Sequence, residues 1–169
     1  MRRTHVSRFG LAAILALVVG LLFSAAPAQA DTPLLAVSAD RATATPGSSV
    51  TLTLTLTNPH NTPVQFVYQS IQPTYATTQL TGLKYAFSAC GGNVSACDTG
   101  ATTGIVHHTV PVAAGGSTTV TLTYAIASDS ACGSGARIDF YTYIYYEYQS
   151  GGASDSGILN VPGNEVTCS

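Results

Sequence analysis

Positive charge is the scarcest ingredient of this 169-residue sequence, with six lysines and arginines in all. Three of them, Arg2, Arg3 and Arg8, precede an apolar run from Leu11 to Phe23 and the small-residue stretch Ala28-Gln29-Ala30. A basic start, a short apolar segment and an Ala-x-Ala site in that order are the signs of a secretory signal peptide over residues 1–30, with cleavage expected before Asp31. The apolar run is thirteen residues, short of the roughly 20 that a membrane-crossing helix needs. No second run of that kind follows, so a secreted product without a membrane anchor, resting at most loosely on the cell surface, is expected.

Beyond the leader only Arg41, Lys84 and Arg137 remain, against Asp31, Asp40, Asp98, Asp129, Asp139, Asp155, Glu147 and Glu165, a net charge of −5. A mildly acidic chain with three scattered cations has no footprint for phosphate backbones or anionic lipid heads. Nucleic acid and membrane surface are excluded as partners on that ground. The remaining 139 residues suit one domain with a single core.

Metal-ligand spacing is lacking too. The four cysteines, Cys90, Cys97, Cys132 and Cys168, form no Cys-x-x-Cys pair, so zinc has little support and no metal or cofactor is expected. In an oxidising compartment they read as two structural disulfides, for which four cysteines allow three pairings.

A convincing helix is also missing, and what stands in its place is strand. Val50, Leu52, Leu54 and Leu56 alternate with Thr51, Thr53, Thr55 and Thr57, the period of two that marks a strand with one face buried. The turn Thr45-Pro46-Gly47-Ser48 opens it, and Asn58-Pro59 with Asn61-Thr62-Pro63 closes it, because proline cannot continue the ladder. The pattern returns at Val120, Leu122, Tyr124 and Ile126 after Ala114-Gly115-Gly116-Ser117. Further strands are expected over 34–38, 64–71, 80–87, 105–112, 137–148 and 158–166, the last interrupted at Pro162-Gly163. Seven or eight turn-separated strands with little charge predict an all-β, two-sheet sandwich.

The residues from Ala44 to Asn58 and from Val110 to Thr123 resemble the immunoglobulin-like modules of bacterial surface and secreted proteins, the conserved-repeat and CARDB-like groups. There a Pro-Gly turn opens strand B, an Asn-rich turn closes it and a small-residue turn opens strand E. The likeness covers most of Leu34 to Tyr148, with departures at the insert from Cys90 to Cys97 and at the tyrosine-rich strand after Arg137. It implies a single immunoglobulin-like domain over 31–169. It also implies that the strand from Arg137 is F and the segment from Ile158 is G, so that the end of G lies beside the start of F. On that topology Cys132 pairs with Cys168, leaving Cys90 with Cys97.

Several constellations invite a catalytic reading. Ser154-Asp155-Ser156-Gly157 with His107 or His108 and Asp129 or Asp139 resembles the nucleophile turn of trypsin-like proteases, but the flanking glycines of that turn are replaced by Ser154 and Ile158. A polar hairpin is the plainer reading, since a nucleophile counts only with its base and oxyanion donors in place. His107 and His108 are strand neighbours that point to opposite faces. Asp139 and Glu147, eight residues apart on one strand, stand roughly 26 Å apart at about 3.3 Å per residue and cannot act as an acid/base pair. Lys84 is an exposed lysine on the ordinary reading, with an isopeptide cross-link to an asparagine as the alternative. The threonine faces read as uncharged surface, because long flat arrays of the ice-binding kind are disfavoured by sheet twist.

The best candidate is the strand from Arg137 to Tyr148. If Ile138, Phe140, Thr142 and Ile144 face the core, Tyr141, Tyr143 and Tyr145 line up with Asp139 and Glu147 outside. A stripe of tyrosines offers rigid apolar area with hydroxyl handles. The expectation is a non-enzymatic module that binds cell-wall glycan or another surface protein through a sheet face. The alternatives are a small-molecule carrier of the apo-chromoprotein type and a hydrolase without a recognisable site.

Overall fold

The computed structural model describes residues 34–169. The expected leader and its cleavage site lie outside them. The strands are β1 (Leu35–Ala39), β2 (Thr43–Ala44), β3 (Ser49–Thr57), β4 (Val64–Pro73), β5 (Tyr85–Gly92), β6 (Val94–Asp98), β7 (Gly104–His108), β8 (Ser117–Ile126), β9 (Arg137–Tyr148) and β10 (Ala153–Val166). One helical turn, α1 (Tyr75–Thr78), follows β4. Four strands form one sheet in the order β1-β3-β8-β5, and six form the other in the order β2-β10-β9-β4-β7-β6. This is an immunoglobulin-like sandwich: β1, β3, β8 and β5 stand as A, B, E and D, while β10, β9 and β4 stand as G, F and C. Strands β7 and β6 extend the second sheet beyond C.

The alternation in the sequence decides which side of each strand is covered. Val50, Leu52, Leu54 and Leu56 of β3 and Val120, Leu122, Tyr124 and Ile126 of β8 are buried. Across from them lie Ile71 of β4, Val106 of β7, and Ile138, Phe140 and Ile144 of β9. Phe87, Tyr124 and Phe140 meet edge-on or tilted with centroids 5.3 to 5.8 Å apart, the geometry aromatic pairs favour. Burial pushes the Tyr124 phenol up, and its hydroxyl donates to Asn164 Oδ1 at 2.7 Å. On the opposite face of the first sheet the threonines bond across the strands, Thr51 to Thr123 at 3.0 Å and Thr55 to Thr119 at 3.1 Å. That face is polar and uncharged.

The turns are built as their residues require. Asn58, fully buried, donates from Nδ2 to the carbonyls of Thr62, Val112 and Ala113 and accepts the His60 N–H. It thereby ties the loop after β3 to the loop before β8. The expected strand over 80–87 begins only at Tyr85, because residues 80–84 carry the chain from one sheet to the other. The strand expected over 105–112 ends at His108, ahead of the Val110-Pro111 bond. A bulge between Val161 and Asn164 absorbs Pro162-Gly163. A Cβ at Gly163 would collide with the Asp139 carboxylate and crowd Arg137.

The chain crosses between the sheets on both sides of the sandwich. On one side β1 passes into β2. On the other, β5 at the edge of the first sheet passes through Asn93 into β6 at the edge of the second. At that corner Gly92 takes φ +78°, and a Cβ there would sit 2.7 Å from the Thr119 carbonyl oxygen, so only glycine fits without a shift. The cysteine-bearing insert is therefore a pair of strands rather than a loop. Its disulfide, Cys90–Cys97, joins the edges of the two sheets. Cys132–Cys168 fastens the C-terminal residues to the connection between β8 and β9, with Cα atoms 5.2 Å apart.

Candidate binding face

The outer face of the six-stranded sheet gathers most of the solvent-facing aromatic side chains. Strand β9 lies at its centre with β4 on one side and β10 on the other. Ile138, Phe140, Thr142, Ile144 and Tyr146 are buried, whereas Tyr141, Tyr143, Tyr145 and Glu147 are half-buried on the opposite face. They are half-buried rather than free because a central strand has a covered neighbour on either side.

Registers show which neighbours they are. Tyr145 lies between Ser156 of β10 and Tyr68 of β4, and Tyr68 in turn faces His107 of β7. Tyr143 lies between Ile158 and Ser70, with Ile105 beyond. A bulge between Val64 and Phe66 keeps Val64 and Val67 inside while Gln65 and Phe66 both face solvent. Phe66 reaches the same cluster, with ring centroids 6.1 Å from Tyr145 and 5.9 Å from His107. Tyr68 and His107 are 5.5 Å apart. Two large apolar residues of this face are plainly exposed, Ile158 at 71% and Phe66 at 37%.

The hydroxyls divide by role. Tyr141 donates to Gln72 Oε1 at 2.8 Å, and Tyr145 donates to Glu147 Oε1 at 3.0 Å. Among the described residues the Tyr143 hydroxyl has no side-chain partner, which leaves it available beside Ile158.

Phe66, Tyr68, His107 and Ile158 were not legible as members of this face. The alternation of β4 could have paired Tyr68 with Phe66, but the bulge breaks that phase. Which strands flank β9 is a matter of topology.

The other constellations come apart. Ser156 on β10 and His107 on β7 are separated by β9 and β4, about 14 Å at about 4.8 Å per strand. Asp129 pairs with Lys84 at 2.5 Å in an exposed ion pair, and Asp139 pairs with Arg137 at 2.7 Å. Among these candidate residues no nucleophile, base and orienting carboxylate meet. His107 faces outward and His108 inward. Among the described residues no three His, Cys, Asp or Glu side chains are grouped for a metal ion, and no helix there is long and apolar enough to cross a membrane. A carrier needs a sizeable cleft, commonly about 300 Å³ or more. Two depressions reach that size, about 440 Å³ between Gly133–Arg137 and Glu165–Thr167 and about 310 Å³ around Asn93 and Pro111, but their linings are as polar as they are apolar, and the apolar notch between β1 and β10, lined by Leu34, Leu35, Ile144 and Ile158, holds only about 190 Å³.

Inside the sandwich three polar side chains lie on the inner face of the same sheet. His108 Nε2 bonds Gln69 Oε1 at 2.8 Å, Gln69 Nε2 donates to Thr142 Oγ1 at 2.9 Å, and Thr142 donates to the Ser70 carbonyl at 3.0 Å. His108 Nδ1 is buried without a partner. Burial first, and the neighbouring His107 second, lower the His108 pKa to about 4. At the end of the sheet His60 stacks on Tyr148 at 3.7 Å. There burial, helped by Asp155, pushes the Tyr146 phenol up to about 12.

No protein-family model matches the sequence, and no curated protein is similar to it. Solved structures are. The N-terminal domain of the Streptococcus gordonii adhesin Sgo0707 superimposes with a TM-score of 0.52 at 13% identity, over 79% of this chain and 32% of that one. The chain thus spans about a third of that structure's length. A cohesin module from a Clostridium perfringens family 33 glycoside hydrolase superimposes at 0.51 with 8% identity, over 82% of this chain and 100% of that one. At such identities the likeness is one of fold.

Proposed function

We propose that this is a secreted or loosely surface-associated binding module, without catalytic activity, that docks cell-wall glycan or another surface protein on the outer face of the six-stranded sheet. The observation that carries the reading is Ile158, 71% exposed, set against Tyr143 on the same face as the cluster of Tyr145, Tyr68 and Phe66. Aromatic rings in the middle of a sheet face with an exposed aliphatic side chain at its β10 edge are the composition of an interface, not of ordinary surface. The named neighbours are an adhesin domain and a cohesin module, so the sandwich itself lends itself to such use.

The test is retention on insoluble cell-wall polysaccharide and on immobilised surface proteins, comparing the purified protein with a Tyr143→Ala, Ile158→Ser double variant. Loss of retention in a variant with unchanged circular dichroism supports the reading. Equal retention by the two proteins overturns it.

A further inference from the structure

The aromatic face carries a carboxylate with no counter-charge. Glu147 stands on β9 beside Tyr145, whose hydroxyl it accepts at 3.0 Å, and opposite Phe66 of β4. Its other oxygen lies toward the turn at Gly151. The three cations among the described residues are engaged elsewhere. Arg41 pairs with Asp40, Lys84 with Asp129, and Arg137 with Asp139 and Glu165.

From this we infer that the partner is a basic protein segment, and that it seats a lysine or arginine side chain on Phe66, Tyr68 and Tyr145 beside Glu147. The inference rests on reading this sheet face as the binding face, and it selects protein over neutral glycan. The ring faces of Phe and Tyr attract a cation through their quadrupoles. Here Tyr145 bonds the carboxylate, Phe66 lies across from it and Tyr68 stands one diagonal step away, so the two attractions act on the same part of the face. The acidic excess of the whole chain outside the leader, −5, draws the same kind of partner from a distance. A neutral glycan would use the rings and offer hydroxyls to Glu147, but it brings no opposite charge.

The experiment is a 15N–1H NMR titration of the purified protein with three probes: a ten-residue Arg-Gly-Ser peptide, the same peptide with Glu replacing Arg, and a neutral chitin hexasaccharide. The expected result is that the arginine peptide alone shifts the amides of Phe66, Tyr68, Tyr145 and Glu147. Its affinity should fall about fivefold in Glu147→Gln and again in Phe66→Leu, which keeps apolar area but removes the ring. Raising the salt concentration should weaken it further. Silence of these amides toward the arginine peptide, or equal affinity in Glu147→Gln, overturns the inference. If the hexasaccharide shifts them instead, the cationic partner is refuted while the binding face stands. If no probe moves them and the Tyr143→Ala, Ile158→Ser variant is retained like the unaltered protein, both readings fail.

Discussion

Lowering the pH from 7 to 4 should weaken this fold at one identifiable side chain, His108. It is 1% exposed, spends Nε2 on Gln69 Oε1 at 2.8 Å, and leaves Nδ1 buried with no acceptor in reach. With Gln69 supplying the oxygen, Nε2 carries the proton and Nδ1 is bare. A second proton would have to be placed on Nδ1 inside the core, which is why the folded pKa falls to about 4 from 6.5. In the unfolded chain the imidazole titrates near 6.5. Above that pH neither state carries the extra proton, and the folded state keeps its full stability. As the pH falls through 6.5 the unfolded chain takes up the proton first, so stability declines until the folded pKa is reached. The interval corresponds to about 3 kcal/mol at about 1.4 kcal/mol per pH unit, a large part of the roughly 5–15 kcal/mol of a typical domain. Urea unfolding at pH 7.5, 6, 5 and 4 measures the decline. A His108→Gln variant, which keeps a donor but no ionisable ring, separates it from carboxylate effects. The unaltered protein should lose up to about 3 kcal/mol more than the variant over that range. Parallel curves for the two proteins, or an NMR titration of His108 near 6.5, would refute the reasoning.

The two disulfides should differ in weight. By the loop-entropy model, removing Cys132–Cys168 (separation 36) costs about 3.8 kcal/mol and removing Cys90–Cys97 (separation 7) about 2.4 kcal/mol, so the Cys132→Ser, Cys168→Ser pair should unfold at the lower urea midpoint. Asn58→Ala removes the side-chain partner of the Thr62 carbonyl and of the His60 N–H, while the Val112 and Ala113 carbonyls keep the N–H groups of Val64 and Gly116; it should cost about 1–3 kcal/mol in the same assay, whereas an exposed asparagine such as Asn61 should cost almost nothing. Intact-mass measurement of the protein from culture medium should give a chain beginning at Asp31 with both disulfides closed; retention of earlier residues would refute the cleavage site.

Much of the fold was legible because the signals are local. The Thr-Leu alternation of β3, its return in β8, and the phase of β9 with Ile138, Phe140 and Ile144 inward all follow from side chains alternating across a strand. So did the bulge at Pro162-Gly163, since proline cannot serve the ladder. The strands within the insert from Cys90 to Cys97 were not legible, because two edge strands on different sheets carry no more local signal than a turn. The strand over 80–87 was placed too early for a similar reason: residues 80–84 have strand-like composition but cross from one sheet to the other.

By itself the sequence determined the class of the molecule: a chain with little charge and period-two apolar patterning can bury its faces only by stacking sheets. It also determined that tyrosines would line one side of β9. Tertiary structure alone decided what they line up with. Phe66 and Tyr68 reach Tyr145, His107 reaches Phe66 and Tyr68, and Ile158 reaches Tyr143, only because β10, β9, β4 and β7 are neighbours in these registers. The pairing of distant strands is set by the whole hydrophobic pattern and the connections between strands, not by neighbours in the chain. The same holds for His108. An ordinary strand histidine became a buried base when Gln69 and Thr142 were brought beneath it from two other strands.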